Sequence, residues 1–157
     1  MCDEEKQEFN KDILIAVDES PNARRAVVYV ANLLGGLKGF RAFLLHVLNL
    51  PEDDYFPSLE AKEDYRQDKR IKVNRMLEKY RQILIENGFL AGAVSVYSPE
   101  RYCPSIADCI LAERKALRSG TIVVGRQGVS RQEEFLFGSV SSKIVKKAKG
   151  CSVWVVE

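Results

Sequence analysis

Five short, largely apolar runs constrain this chain to a parallel sheet, because each is separated from the next by a stretch too long for a hairpin. The runs are Asp12 to Val17 (DILIAV), Phe40 to Val47 (FRAFLLHV), Ala93 to Tyr97, Thr121 to Val124 and Val153 to Val156. Helical spacing fills the intervals. Ser20-Pro21 signals a helix start, with serine as N-cap and proline at the first helical position. Ala23, Ala26, Val27, Val30, Ala31 and Leu34 repeat at helical spacing until Gly35-Gly36 stops them. Leu48 to Pro57 carries prolines and acids and reads as loop. The stretch from Leu59 to Asn87 is so charged between Glu60 and Arg81 that it resembles a disordered tract. Val73, Met76, Leu77, Tyr80, Ile83 and Leu84 decide for an amphipathic helix, at least in its second half, capped by Asn87-Gly88. Ser105 to Leu117 reads as a helix with Ile106, Ile110 and Leu117 inward, and Val140, Ile144, Val145 and Ala148 mark a last one. Alternating strands and helices predict a single-domain, open doubly wound α/β sheet with four helices. Residues 1–11 form a tail and 12–157 the domain.

That architecture predicts where a ligand would go. In open α/β sheets the crevice lies beyond the strand C-termini, where the strand order reverses. With the first and fourth strands adjacent there, Asp18 and Gly125 meet, and Val47 lies alongside. The segment VGRQGVSRQEEFLFGSV from Val124 to Val140 carries Gly125, Gly128, Gly138 and Ser139 at the spacing Gly-x2-Gly-x9-Gly-Ser. Glycines are mostly turn residues, and Ser139 is also a natural N-cap. After a buried strand and before a helix, however, such a loop brings backbone N–H groups and a positive dipole end toward a phosphate.

Size and charge narrow the classes. At 157 residues, 46% hydrophobic and 29% charged, the chain can bury a core without disulfides or metals. A net charge of +2, from 24 basic and 22 acidic residues, argues against a nucleic-acid binder. Lys143, Lys146, Lys147 and Lys149 read as complement to a helix C-terminus and as a solvated face. Cys2, Cys103, Cys109 and Cys151 lack CxxC spacing, so reduced thiols are expected; Cys103 and Cys109, separated across a helix start, are not expected to face one another. No metal site is expected. The polar N-terminus is unlike a targeting peptide and no run reaches the length of a membrane span, which gives a cytoplasmic, membrane-free expectation.

Three single residues admit two readings each. Asp18 is either a capping carboxylate near Ser20 or a ligand contact at the switch point, the second being favoured. His46, inside an apolar strand, reads as a satisfied near-core histidine rather than a base. Trp154 is core or part of an edge that needs covering.

ILIAVDES at the start, LLHV closing the second run, SIADCILAERKALRSGTIVVGRQG and GSVSSKIVKKAKGCSVWVV together resemble the universal stress protein family, in its ATP-binding subtype. The resemblance implies a Rossmann-like, adenine nucleotide alpha hydrolase-like sheet of order 3-2-1-4-5, and ATP, with or without magnesium, as ligand. It implies that Ala16, Val17 and Asp18 border the adenosine, with the Asp18 carboxylate near ribose or adenine, and that Val47 offers backbone groups to the adenine edge. Gly125, Arg126 and Gly128 would line the phosphate loop; Gly138, Ser139 and Val140 would bind phosphates at a helix N-terminus. The chain departs from the family at Arg126, which either adds charge to the phosphates or extends into solvent, and at Cys151-Ser152, where many members carry a proline. A homodimer through Val153, Trp154, Val155 and Val156 is expected both from the resemblance and from the exposed edge.

The leading functional reading is a regulatory ATP-binding stress-response protein. The alternative is a slow ATPase or phosphoryl-transfer enzyme, disfavoured because neither GxxxxGK[ST] nor an evident base or metal-holding pair beyond Asp18 is present. An interaction protein with an empty cleft is opposed by the intact glycine-serine motif. An NAD enzyme is opposed by the lack of GxGxxG after the first strand.

Overall fold

The computed structural model describes residues 10–48, 50–100, 102–126 and 140–157. The strands are β1 (Asp12–Ala16), β2 (Arg41–Leu45), β3 (Val94–Tyr97), β4 (Thr121–Gly125) and β5 (Ser152–Val156). The helices are α1 (Pro21–Leu34), α2 (Leu59–Glu86), α3 (Ile106–Leu117) and α4 (Val140–Lys147), with short 3-10 turns at Asp53–Tyr55 and Ala91–Ala93. All strand pairs are parallel and the order is β3-β2-β1-β4-β5, as the resemblance implied. Ala16, the last residue of β1, stands opposite Leu45 on one side and Val124 on the other.

Successive side chains of a strand point to opposite faces, and here both faces are covered, so β1 is apolar without alternation. Ile13 and Ile15 pack with α1 and α2 through Val27, Val30, Leu77 and Leu84. Leu14 goes the other way, into a second core with Ile110 of α3 and Ile144 of α4. Polar anchors close the sheet's lower end. Arg41 donates to both oxygens of the buried Asp12 carboxylate, and Asn10 donates to the Arg118 carbonyl at 2.7 Å.

Helix ends follow the expected chemistry. Ser20 accepts from the Ala23 N–H at 3.1 Å, Ser58 from Ala61 at 3.0 Å and Ser105 from Asp108 at 3.2 Å. Gly88 follows α2 with φ +109°, and a Cβ there would lie 2.6 Å from the Gly36 nitrogen, which fixes how the ends of α1 and α2 abut.

Two expectations need correction. Ile106 does not point inward: at 39% exposure it stands at the rim of α3, while Ala107, Cys109 and Ile110 are the buried members of that turn. Cys103 and Cys109 do face one another, forming a disulfide with Cα atoms 5.6 Å apart. The reason is that Ser105 caps α3, so Cys103 lies in the approach to the helix and folds back over its first turn. Cys151 is free.

The charged first half of α2 is helical too, although its buried residues begin at Val73. Side-chain contacts hold it instead. Glu100, bridged at Leu48 to the exit of β2, accepts from Arg66 Nε at 3.0 Å and Arg70 Nε at 2.8 Å, and Phe56 packs on Tyr65 with ring centroids 5.3 Å apart. The hydrogen bond from Arg66 is the largest influence and pulls the Glu100 carboxyl below its ordinary value of 4.5; burial opposes it, and the hydrogen bond from Arg70 adds to the lowering. A lowered folded-state pKa means stabilisation that is full above the ordinary glutamate pKa and is lost as pH falls through the folded one. Glu100→Gln is therefore expected to be less stable than wild type in urea unfolding at about pH 7, with the gap narrowing as the pH is taken progressively below the ordinary glutamate value. A gap independent of pH would remove Glu100 from this role.

Candidate functional site

At the C-terminal ends of the strands β1 leaves the sheet between β2 and β4, whose following helices lie on opposite faces, and a hollow opens there. Ala16, Val17 and Asp18 from β1 and its exit, Val47 beyond β2, Gly125 at the end of β4 and Val140 at the start of α4 all line it. Six of the residues singled out from sequence thus converge. Arg126 does not line this hollow. Its backbone N–H extends the β4–β5 ladder to the Val156 carbonyl, and its guanidinium pairs with Glu157 at 3.1 Å. Gly128, Gly138 and Ser139 lie outside the described residues.

The exit of β1 is a turn built on Asp18. One carboxylate oxygen, Oδ1, accepts the Ser20 N–H at 2.8 Å, and Ser20 in turn caps α1, so the capping reading of Asp18 is correct for that oxygen. Oδ2 has no hydrogen-bond partner among the described residues and remains available at the crevice. Behind the turn, Tyr80 of α2 donates its hydroxyl to the Asp18 carbonyl at 2.8 Å. Burial, reinforced by the Asp18 charge, raises the Tyr80 phenol above its ordinary pKa and keeps that donor protonated.

The exit of β2 differs in a way that matters for recognition. Backbone groups of alternate residues in a parallel strand address opposite neighbours. The N–H groups of His46 and Leu48 go to the carbonyls of Tyr97 and Pro99, whereas the Leu45 carbonyl faces β1 and accepts from Val17 N–H at 2.8 Å. Val47 therefore turns its N–H and C=O toward the β1 side, where β1 has already left. Neither group has a partner among the described residues, and the residue is 8% exposed. A buried backbone pair of this kind is costly unless something else bonds to it. His46 is the satisfied near-core residue that the sequence suggested: Nδ1 lies 2.8 Å from the Val17 carbonyl and, facing a carbonyl, carries the proton.

Sequence reasoning missed part of the wall. Ile106 and Ile110 of α3 line the same hollow, as do Ser20 and His46. The Ser105 cap was the available signal for Ile106, since it places that side chain in the first helical turn beside the switch point. The described residues enclose about 80 Å³, well short of the roughly 300 Å³ or more of a site that engulfs a whole small ligand, so they form a wall for part of one. Among the described residues no group of three or more His, Cys, Asp or Glu could hold a metal, and no helix is long and apolar enough to cross a membrane.

Gly125 has a packing role that its motif conceals. A Cβ at this position would lie 2.5 Å from the Asn22 carbonyl carbon and 2.6 Å from the Ala23 nitrogen, so the end of β4 touches the first turn of α1. Gly125→Ala is expected to cost about 1–3 kcal/mol in the absence of any ligand, read as a lower urea midpoint with an unchanged slope. An unaltered midpoint would mean that this close approach does not exist.

Residues 10–157 match the model of the universal stress protein family. No curated protein is similar enough to match. Among solved structures, UspA from Lactobacillus plantarum superposes with a TM-score of 0.74 at 19% identity, covering 94% of this chain and 98% of its own. A universal stress protein from Archaeoglobus fulgidus in complex with dAMP gives 0.65 at 20% identity, covering 95% and 99%. A universal stress protein in complex with cAMP gives 0.68 at 16% identity, covering 95% and 98%.

Proposed function

The chain belongs to the universal stress protein family, and we propose that it is a regulatory module that holds ATP in the switch-point crevice. The observation that carries the proposal is a pair of groups at the β1 and β2 exits with no partner among the described residues: the Val47 backbone edge and the Asp18 Oδ2 atom. An adenine ring offers a donor and acceptors along one edge, which suits an N–H and C=O on the same residue. A ribose offers hydroxyls, which suit a carboxylate oxygen. Ile106, Ile110 and Ala16 supply the apolar surface against which a base can lie. The complexes of structural relatives with dAMP and cAMP support an adenine nucleotide as the ligand class. Gly125 and Val140 at the two ends of the glycine-serine segment support placing the phosphates there, with Gly128, Gly138 and Ser139 supplying N–H donors. Arg126, paired with Glu157, is assigned no phosphate contact. Turnover is expected to be slow or absent, because phosphoryl transfer needs charge positioned on the transferring group.

Calorimetry with ATP tests this. Wild type is expected to bind, with Asp18→Ala weakened roughly tenfold to a hundredfold, the cost of one hydrogen bond to a charged group. Gly138→Val is expected to lose affinity while circular dichroism stays native. Wild type giving no heat with ATP, AMP or cAMP would contradict the proposal.

A homodimer through β5 is part of the same reading. Ser152 donates to the Gly120 carbonyl and Val156 accepts from Arg126, so the alternate residues Val153 and Val155 direct their backbone groups to the free edge of the sheet. Val155 is also 44% exposed, an apolar side chain on an open edge. Val155→Pro removes an edge donor without breaking the β4–β5 ladder. It is expected to convert the dimer to a monomer in light scattering, and a wild-type monomer at tens of micromolar would contradict the assembly.

A further inference from the structure

A larger hollow of about 680 Å³ lies on the opposite side of the β1 exit, between the start of α1 and the second half of α2. Its volume falls in the range of small-molecule sites, roughly 300–1,000 Å³. The loop from Asp18 to Ser20 is the partition: Asp18 and Ser20 line the crevice, while Glu19 lines the larger hollow. Tyr80 braces that partition by its bond to the Asp18 carbonyl.

The floor is apolar, formed by Met76, Ile83 and the Tyr80 ring. Over it stand Arg24 of α1 and Arg75 and Lys79 of α2, three cations with no carboxylate within 4.0 Å among the described residues. Lys72, by contrast, is occupied by Asp68 at 3.0 Å. Two acids share the lining: Glu86 in the last turn of α2 accepts from Gln82, and Glu19 sits in the partition. Elsewhere on α2 the basic residues Lys62, Arg66, Arg70 and Arg81 are each paired with a carboxylate. Lys69 lies over the Tyr65 ring at 5.6 Å, and Arg75 and Lys79 are left at the hollow.

We propose that this hollow is a second ligand site, separate from the nucleotide crevice, for a small amphipathic anion: an aromatic or aliphatic body lying on Met76 and Ile83, with a carboxylate, phosphate or sulfonate head held by Arg24, Arg75 and Lys79. An anion alone would find exposed cations no better here than anywhere on the surface, and an apolar body alone would leave the cations unused. Only a molecule that is both fits the floor and the rim together.

Anilinonaphthalene sulfonate, an aromatic anion whose fluorescence rises on apolar contact, is the probe. Titrated into the full chain, it is expected to saturate at one site and to bind at least tenfold more weakly to R75E/K79E and, independently, to R24E. Charge reversal at the remote Lys38 (K38E) and truncation of the crevice wall at Ile106 (I106A) are expected to leave its affinity unchanged. All five positions are exposed, so circular dichroism should remain native. Binding insensitive to both groove variants, or lost in I106A and retained in R75E/K79E, would overturn the proposal. None of these readings uses ATP, so failure of the nucleotide assignment leaves this test intact.

Discussion

The position of β1 at the centre of a parallel sheet is the constraint on which the remaining structure depends. Its residues Ile13, Leu14 and Ile15 are buried on both faces and paired on both edges, so β1 can be left only at its C-terminal end. There the chain must turn out of the plane, and β2 runs on past it. The consequence, among the described residues, is a backbone edge at Val47 with no neighbour to bond and a carboxylate at Asp18 with one oxygen to spare. The Val47 edge is backbone and follows from the strand order, which is why a doubly wound sheet binds ligands at this point; the Asp18 oxygen is a side-chain group that the same strand order brings beside it.

Around that opening the chain spends its polar groups on holding the walls still. Ser20 caps α1 and Asp18 holds the Ser20 N–H; Tyr80 reaches from α2 to the back of the same turn; His46 ties Val17 from the side. On the far face Lys147 of α4 reaches Asp108 of α3 at 2.9 Å, while Asp108 also takes a hydrogen bond from Ser105. Through these contacts the two helices that bound the crevice on that side are tied at their ends. The Cys103–Cys109 disulfide fastens the approach to α3 onto the same turn that presents Ile106 and Ile110.

Much of this was legible in the sequence. The strands and the Ser20-Pro21 start are local signals, set by β-branched runs and by capping chemistry that does not depend on the rest of the fold. The convergence of Asp18, Val47 and Gly125 was also legible, because it follows from topology once the strands are parallel. What escaped notice depends on three-dimensional neighbours. The first half of α2 has no apolar stripe to reveal it, since its support comes from Glu100 and Phe56, both distant in sequence from Arg66 and Arg70 or on another turn. Ile106 looked like core because the periodicity of α3 cannot distinguish a side chain facing the sheet from one facing a gap beyond its end. The disulfide was missed because spacing alone does not show that Ser105 folds the preceding loop back. Gly125 was read as a ligand contact, when its missing Cβ also accommodates Asn22 and Ala23.

The central claim is that the backbone of Val47, which has no partner among the described residues, is the recognition edge of the crevice, and its amide proton reports on that directly. In hydrogen-exchange measurements resolved by nuclear magnetic resonance, saturating ATP is expected to slow exchange of the Val47 amide and to shift its resonance, more than those of Leu48 or His46, which already have partners. A Val47 amide that exchanges at the same rate with and without bound nucleotide would contradict the account.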